Sequence, residues 1–167
     1  PPRAPAPARA PTPAQAPTPD ERADEGLRLF DRGEYVAAAR AFLDAYEASK
    51  DERYLWNLTL AEAKAGLTFE ALRHGKLYLV EGKNPQNLER AALLLERLRL
   101  DVARVQVRTD AGAEVWVDGQ LAGQAPLAEA IDAQPALPHT VEARLGPRSA
   151  RKELPAPGRG LVVVDLP

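Results

Sequence analysis

Two histidines, dispersed acidic side chains and no cysteine are the reactive groups this sequence offers. Without cysteine there is no disulfide, thiolate nucleophile or thiolate metal site. With His74 and His139 alone, a multi-imidazole metal site or a Ser-His-Asp arrangement lacks its usual parts. Asp118 is the carboxylate that most invites a chemical role, as a ligand or general base. It also opens an Asp118-Gly119 turn, where an aspartate accepts backbone N–H bonds, and that turn role is expected. Strand alternation sets Glu114 on the same face as Asp118, so a hydrolase built on the two is the enzymatic reading to test. Gly112, Gly119 and Gly123 fit neither a P-loop nor a dinucleotide fingerprint, and strands flank them instead of a strand and a helix. No catalytic group, metal ligand or cofactor is expected. His74, between Arg73 and Gly75 on a helix, is expected at the surface.

Trp116 is a candidate for binding. Val115 and Val117 point to a core, which puts Trp116 on the other face of its strand. A half-exposed tryptophan there would serve as a platform for an envelope polysaccharide or a partner. The alternative is packing against Leu161 or Val163 of the closing strand.

Charge removes another class of function. Residues 20–104 carry 14 basic and 16 acidic side chains, and residues 105–167 carry 6 and 8, so neither half has the basic footprint of nucleic-acid binding. No apolar run is long enough to span a membrane. The chain begins at Pro1 and holds no methionine, which leads us to expect that an N-terminal signal or anchor has been removed.

The elements that must position these residues fall into three stretches. Residues 1–19 hold eight prolines and six alanines with no large apolar residue, and are expected to be a disordered, semi-extended tether. Residues 20–102 read as five helices with short joints. Thr18-Pro19-Asp20-Glu21 forms a capping box that opens the first, and Gly33 ends it. Tyr35 to Tyr46 resumes the 3.6-residue rhythm. Ser49-Lys50-Asp51-Glu52 reads as a second capping box before a helix through Leu55, Leu58 and Glu62. A fourth helix runs from about Phe69 to Val80, and Asn84-Pro85 opens a fifth. From residue 103 to 167 the rhythm changes to period two, in Val105-Gln106-Val107, Val115-Trp116-Val117 and Thr140 to Leu145, with Leu161 to Val164 as a closing β-branched run. About six strands are expected, closing into a small antiparallel β-sandwich. The fold class is therefore α+β in two domains: an α-hairpin array, then the sandwich.

Gly33 and Gly66 stand 33 residues apart, as do Ala38 and Ala71. With Gly26, Tyr35, Phe42 and Ala45 in the first unit and Asn57, Leu58 and Tyr78 in the second, residues 20–100 resemble the tetratricopeptide repeat family, with Thr68 and Gly75 where aromatics are usual. The stretch Asp110 to Leu127, with Val117-Asp118-Gly119, Gly123 and Pro126-Leu127, resembles the PEGA family, although its namesake tetrapeptide reads Asp110-Ala111-Gly112-Ala113 and its usual threonine is Ala125. The first resemblance implies a groove lined by the first helix of each repeat, here Ala23, Leu27 and Phe30, then Arg53, Trp56, Asn57, Leu60 and Lys64, with Arg90 of the fifth helix completing a basic edge. Asn57 would bond the backbone of a bound protein or peptide segment, beside Trp56 as its anchor; the alternative is that Trp56 packs against the fifth helix. The second resemblance implies a bacterial envelope setting, periplasmic or at the cell surface. Together they imply a non-enzymatic scaffold or adaptor, against the alternatives of a carbohydrate- or peptidoglycan-binding module and a cytoplasmic adaptor within a larger signalling protein.

Overall fold

The computed structural model describes residues 16–167; the expectation of a disordered tether falls mostly on residues 1–15, which lie outside them. Five helices come first: α1 (Pro19–Asp31), α2 (Tyr35–Ser49), α3 (Glu52–Lys64), α4 (Thr68–Glu81) and α5 (Pro85–Leu98). The Thr18 capping box forms, with the hydroxyl taking the Glu21 N–H and the Glu21 carboxylate taking the Thr18 N–H at 2.7 Å. The second expected capping box does not. Lys50 turns left-handed (φ 56°) to end α2, so Ser49 still belongs to that helix and donates to the Ala45 carbonyl. Asp51 caps α3 in its place, accepting the Arg53 N–H at 3.0 Å. Gly33 and Gly66, at φ 78° and 77°, reverse the chain between paired helices, in a conformation that costs glycine little.

Small residues let these helices approach. Ala38, Ala45, Ala61, Ala71 and Ala91 are fully buried, and Phe42, Leu55, Leu58 and Tyr78 fill the space between. At Gly26 an added Cβ would lie 2.7 Å from a Phe42 ring carbon, which sets how closely α1 rests on α2. Tyr54 of α3 bonds Asp20 of α1, and Tyr46 of α2 bonds Glu81 of α4 at 3.0 Å, so polar clasps tie non-consecutive helices.

After a short 3₁₀ turn (Arg99–Asp101) the chain becomes seven strands: β1 (Ala103–Arg108), β2 (Glu114–Val117), β3 (Gln120–Gln124), β4 (Ile131–Ala133), β5 (His139–Leu145), β6 (Arg148–Leu154) and β7 (Gly160–Asp165). They form two sheets, ordered β4-β1-β7 and β3-β2-β5-β6. Val105, Val107 and Val164 of the first share a core with Val115, Val141 and Leu154 of the second. The α+β two-part architecture is as expected, but the sandwich is mixed where an antiparallel one was expected. β7 runs parallel to β1, from Ala103 opposite Gly160 to Arg108 opposite Asp165. A parallel neighbour needs a long crossover, and here β2 to β6 supply it.

A third cluster, Leu72, Leu95 and Val102 with Leu98 against them, lies where the two parts meet. Lys76 to Asp132 (2.5 Å), Arg99 to Glu129 (3.1 Å) and Arg159 to Asp101 (2.8 Å) bridge across it.

Candidate functional site

Arg53, Asn57, Leu60 and Lys64 recur at intervals of three and four residues, so one face of α3 carries all four. Arg53 and Lys64 are exposed, while Asn57 and Leu60 are half-buried. Arg53 is partly committed: its guanidinium reaches Asp51 Oδ2 at 2.6 Å and lies 5.6 Å from the Tyr54 ring centroid. Asp51, held below its ordinary value first by that Arg53 bond, offsets part of the positive charge. Tyr54 next to it is pushed up to about 12 by its bond to Asp20 and by burial, so it stays protonated and keeps α1 clasped to this helix. On α1, Leu27 is 47% exposed, whereas Phe30 is half-buried and meets Tyr35 edge-on with centroids 5.1 Å apart. Arg90 is exposed on α5.

Trp56 is not the open anchor expected of it. Only 9% exposed, its ring stacks on Tyr78 of α4 with centroids 5.4 Å apart and planes at 29°. It sits a quarter-turn from Asn57 on the helix and so faces inward while the polar stripe faces out. The tryptophan packs, but on Tyr78 of α4 where the alternative had named the fifth helix.

Trp116 lies on the outer face of β2, half-buried, opposite Leu121 of β3 and Glu142 of β5. The Arg144 guanidinium covers its ring at 4.6 Å from the centroid, Glu142 fixes that guanidinium at 2.6 Å, and Glu114 accepts the indole N–H at 3.3 Å. Leu161 and Val163 belong to the other sheet, on its exposed face. The tryptophan therefore packs beneath an arginine, and one face of its ring is closed to a sugar.

Glu114 and Asp118 do not converge. Asp118 turns the other way, into a cleft of about 350 Å³ at the junction of the helical and β parts, lined by Phe69, Arg73, Val117, Leu121, Asp132 and His139. His139 donates from Nδ1 to Asp118 at 2.7 Å and from Nε2 to the Gln134 carbonyl at 2.6 Å. Burial opposes its charged form, but the Gln134 and Asp118 acceptors outweigh burial and raise its pKa above the ordinary value. Burial likewise works against the Asp118 carboxylate, and the His139 bond and Thr140 N–H overcome it and lower its pKa. Asp118 Oδ1 takes the Thr140 N–H of β5 at 2.8 Å, so the carboxylate that was expected to accept an N–H of its own turn ties that turn to the neighbouring strand and to His139. Asp132, in the same cleft, is held by Lys76. Both His139 nitrogens face acceptors and both carboxylates are engaged, so this constellation fastens the β2–β3 turn to β5.

His74 is buried, contrary to the expected surface position. Its Nδ1 lies 2.8 Å from Glu62 Oε2, and Arg73 Nη2 approaches Nε2 at 3.3 Å. A guanidinium only donates, so Nε2 accepts and the Nδ1 proton faces Glu62. The readable signal was Glu62, which continues the buried Leu55, Leu58 stripe of α3 and so demands a polar partner from the facing helix. Among the described residues no group of three or more His, Asp or Glu side chains is gathered as a metal site would need.

Comparison with protein-family models, curated proteins and solved structures finds no match to this chain.

Proposed function

We propose that this chain is a non-enzymatic protein-interaction scaffold of the bacterial cell envelope, with a tetratricopeptide-like helical array binding an extended segment of a partner and a PEGA-like β unit rigidly joined to it. The observation that carries this reading is the α3 stripe. Asn57 is half-exposed between the exposed cations Arg53 and Lys64, with Leu60 in line, an arrangement able to hydrogen-bond an extended backbone while attracting an acidic one. The commitment of His139, Asp118 and Asp132 to bonds that shape the fold supports a binding role over a catalytic one. Arg53 is partly neutralised by Asp51, which leaves Lys64 as the stronger cation of the stripe.

The test is capture from bacterial envelope extract by the wild-type chain and by Asn57→Ala/Lys64→Glu, with the bound proteins identified by mass spectrometry. A protein retained by the wild type and lost from the variant, at equal thermal stability of the two, is the expected result. Identical bound sets would remove the stripe from the account. A partner recovered from soluble cytoplasm and never from envelope would move the scaffold to the other compartment.

A further inference from the structure

The two sheets have four edges, and three are guarded. β4 is only three residues long, β6 carries Arg148, Arg151 and Lys152, and β3 holds Gly123 at φ 147° beside a bulge between Val115 and Trp116. Short strands, edge cations and bulges are the devices by which proteins keep sheet edges from pairing. β7 has none of them. It is a six-residue strand whose centre is Leu161-Val162-Val163-Val164, with β1 as its one sheet neighbour among the described residues.

The backbone phase of β7 is fixed. The Gly160 N–H donates to Val102 at 3.0 Å and the Leu166 N–H to Arg108 at 2.9 Å, so even-numbered residues bond toward β1. Leu161, Val163 and Asp165 therefore aim their N–H and C=O groups at the open edge. Their side chains, with that of Arg159, are exposed, Leu161 at 53% and Val163 at 39%.

From these observations the geometry points to a second copy of this chain as the occupant, through antiparallel pairing of β7 with β7 about a two-fold axis at Val162. That register sets Leu161 opposite Val163 of the second copy and Arg159 opposite Asp165 of the second copy, each twice. All four side chains lie on the same outer face, and the residues facing across the axis are those with free backbone groups. Registers two residues to either side set Leu161 against Asp165 or Arg159 against Val163, placing a charge against an apolar residue. The Arg159–Asp101 pair within one chain is exchangeable, because its arginine is 69% exposed. The product is a continuous sheet, β4-β1-β7 joined to its symmetry copy, that removes the unguarded edge.

Sedimentation equilibrium of the full chain tests this. A strand pair buries less than the roughly 800 Å² per partner of a standard interface, so association is sought at about 0.1 mM. The expected mass is twice 18.1 kDa. Arg159→Asp alone and Asp165→Arg alone place like charges opposite each other and are expected to return the mass to that of one chain. The double variant restores opposite charges and is expected to return the dimer. Circular dichroism of each variant confirms that it is folded, as substitution at exposed positions allows. A wild-type chain that stays at 18.1 kDa overturns the proposal. So does a dimer indifferent to both single charge reversals, or one that the double variant fails to restore.

Discussion

His139 and Asp118 are joined at 2.7 Å on the β side of the junction cleft, with the imidazole also donating to the Gln134 carbonyl. Each group favours the charged form of the other, so stability depends on pH in a defined window. His139 has its folded pKa raised from 6.5; its contribution is complete below that value and is lost as pH rises through the raised one. Asp118 has its folded pKa lowered from 3.8; its contribution is complete above that value and is lost as pH falls through the lowered one. Thermal unfolding of the wild type against His139→Gln is therefore expected to show its largest difference near pH 5 to 6, about 1–3 kcal/mol, narrowing toward pH 9. A difference that is flat from pH 5 to 9 would show that the pair does not raise the His139 pKa.

The Gly26–Phe42 contact gives a steric prediction. A Cβ at Gly26 would lie 2.7, 2.9 and 3.0 Å from three ring carbons of a side chain that is 1% exposed. Gly26→Ala is expected to cost about 1–3 kcal/mol through overpacking in denaturant unfolding, despite alanine's better helix propensity. A stabilised variant would show that α1 rests more loosely on α2.

Glu62 and His74 satisfy each other in the core of the helical part. Glu62→Leu is expected to cost about 1–3 kcal/mol by stranding the imidazole N–H, and Glu62→Leu/His74→Leu to recover part of that loss. Strictly additive losses in the double variant would deny the coupling.

Much of this was legible in the sequence, and its failures have local causes. The five helices follow from their rhythm and caps, because each needs only its own residues and a neighbour next in sequence. β6 was hidden, since Arg148 to Leu154 is charged on both faces and becomes a strand through a seven-residue register with β5. The parallel placement of β7 beside β1 depends on the crossover as a whole and leaves no mark in either strand. Among site residues, the Asp118 turn was readable from Asp-Gly chemistry, whereas its bond to His139 joins residues 21 apart in sequence and needed the fold. Trp56 misled because an aromatic next to Asn57 has the same spacing whether it faces a partner or Tyr78.

The join between the two parts is expected to be held by Asp132, whose side chain is 9% exposed against Lys76. Asp132→Ala should lower stability by about 1–3 kcal/mol and raise amide exchange at Leu72 and Val102, leaving the cores around Leu55 and Val141 protected. Unchanged exchange at the junction would show that its apolar cluster suffices.

The central claim is that the α3 stripe receives a protein segment. Its most direct test is photo-crosslinking in living bacteria from benzoylphenylalanine at position 64 and, separately, at position 36, where Val36 is 65% exposed on α2. A discrete adduct with one envelope protein from position 64, absent from position 36, is the outcome this account predicts. No adduct from position 64, or the same adducts from both, would contradict it.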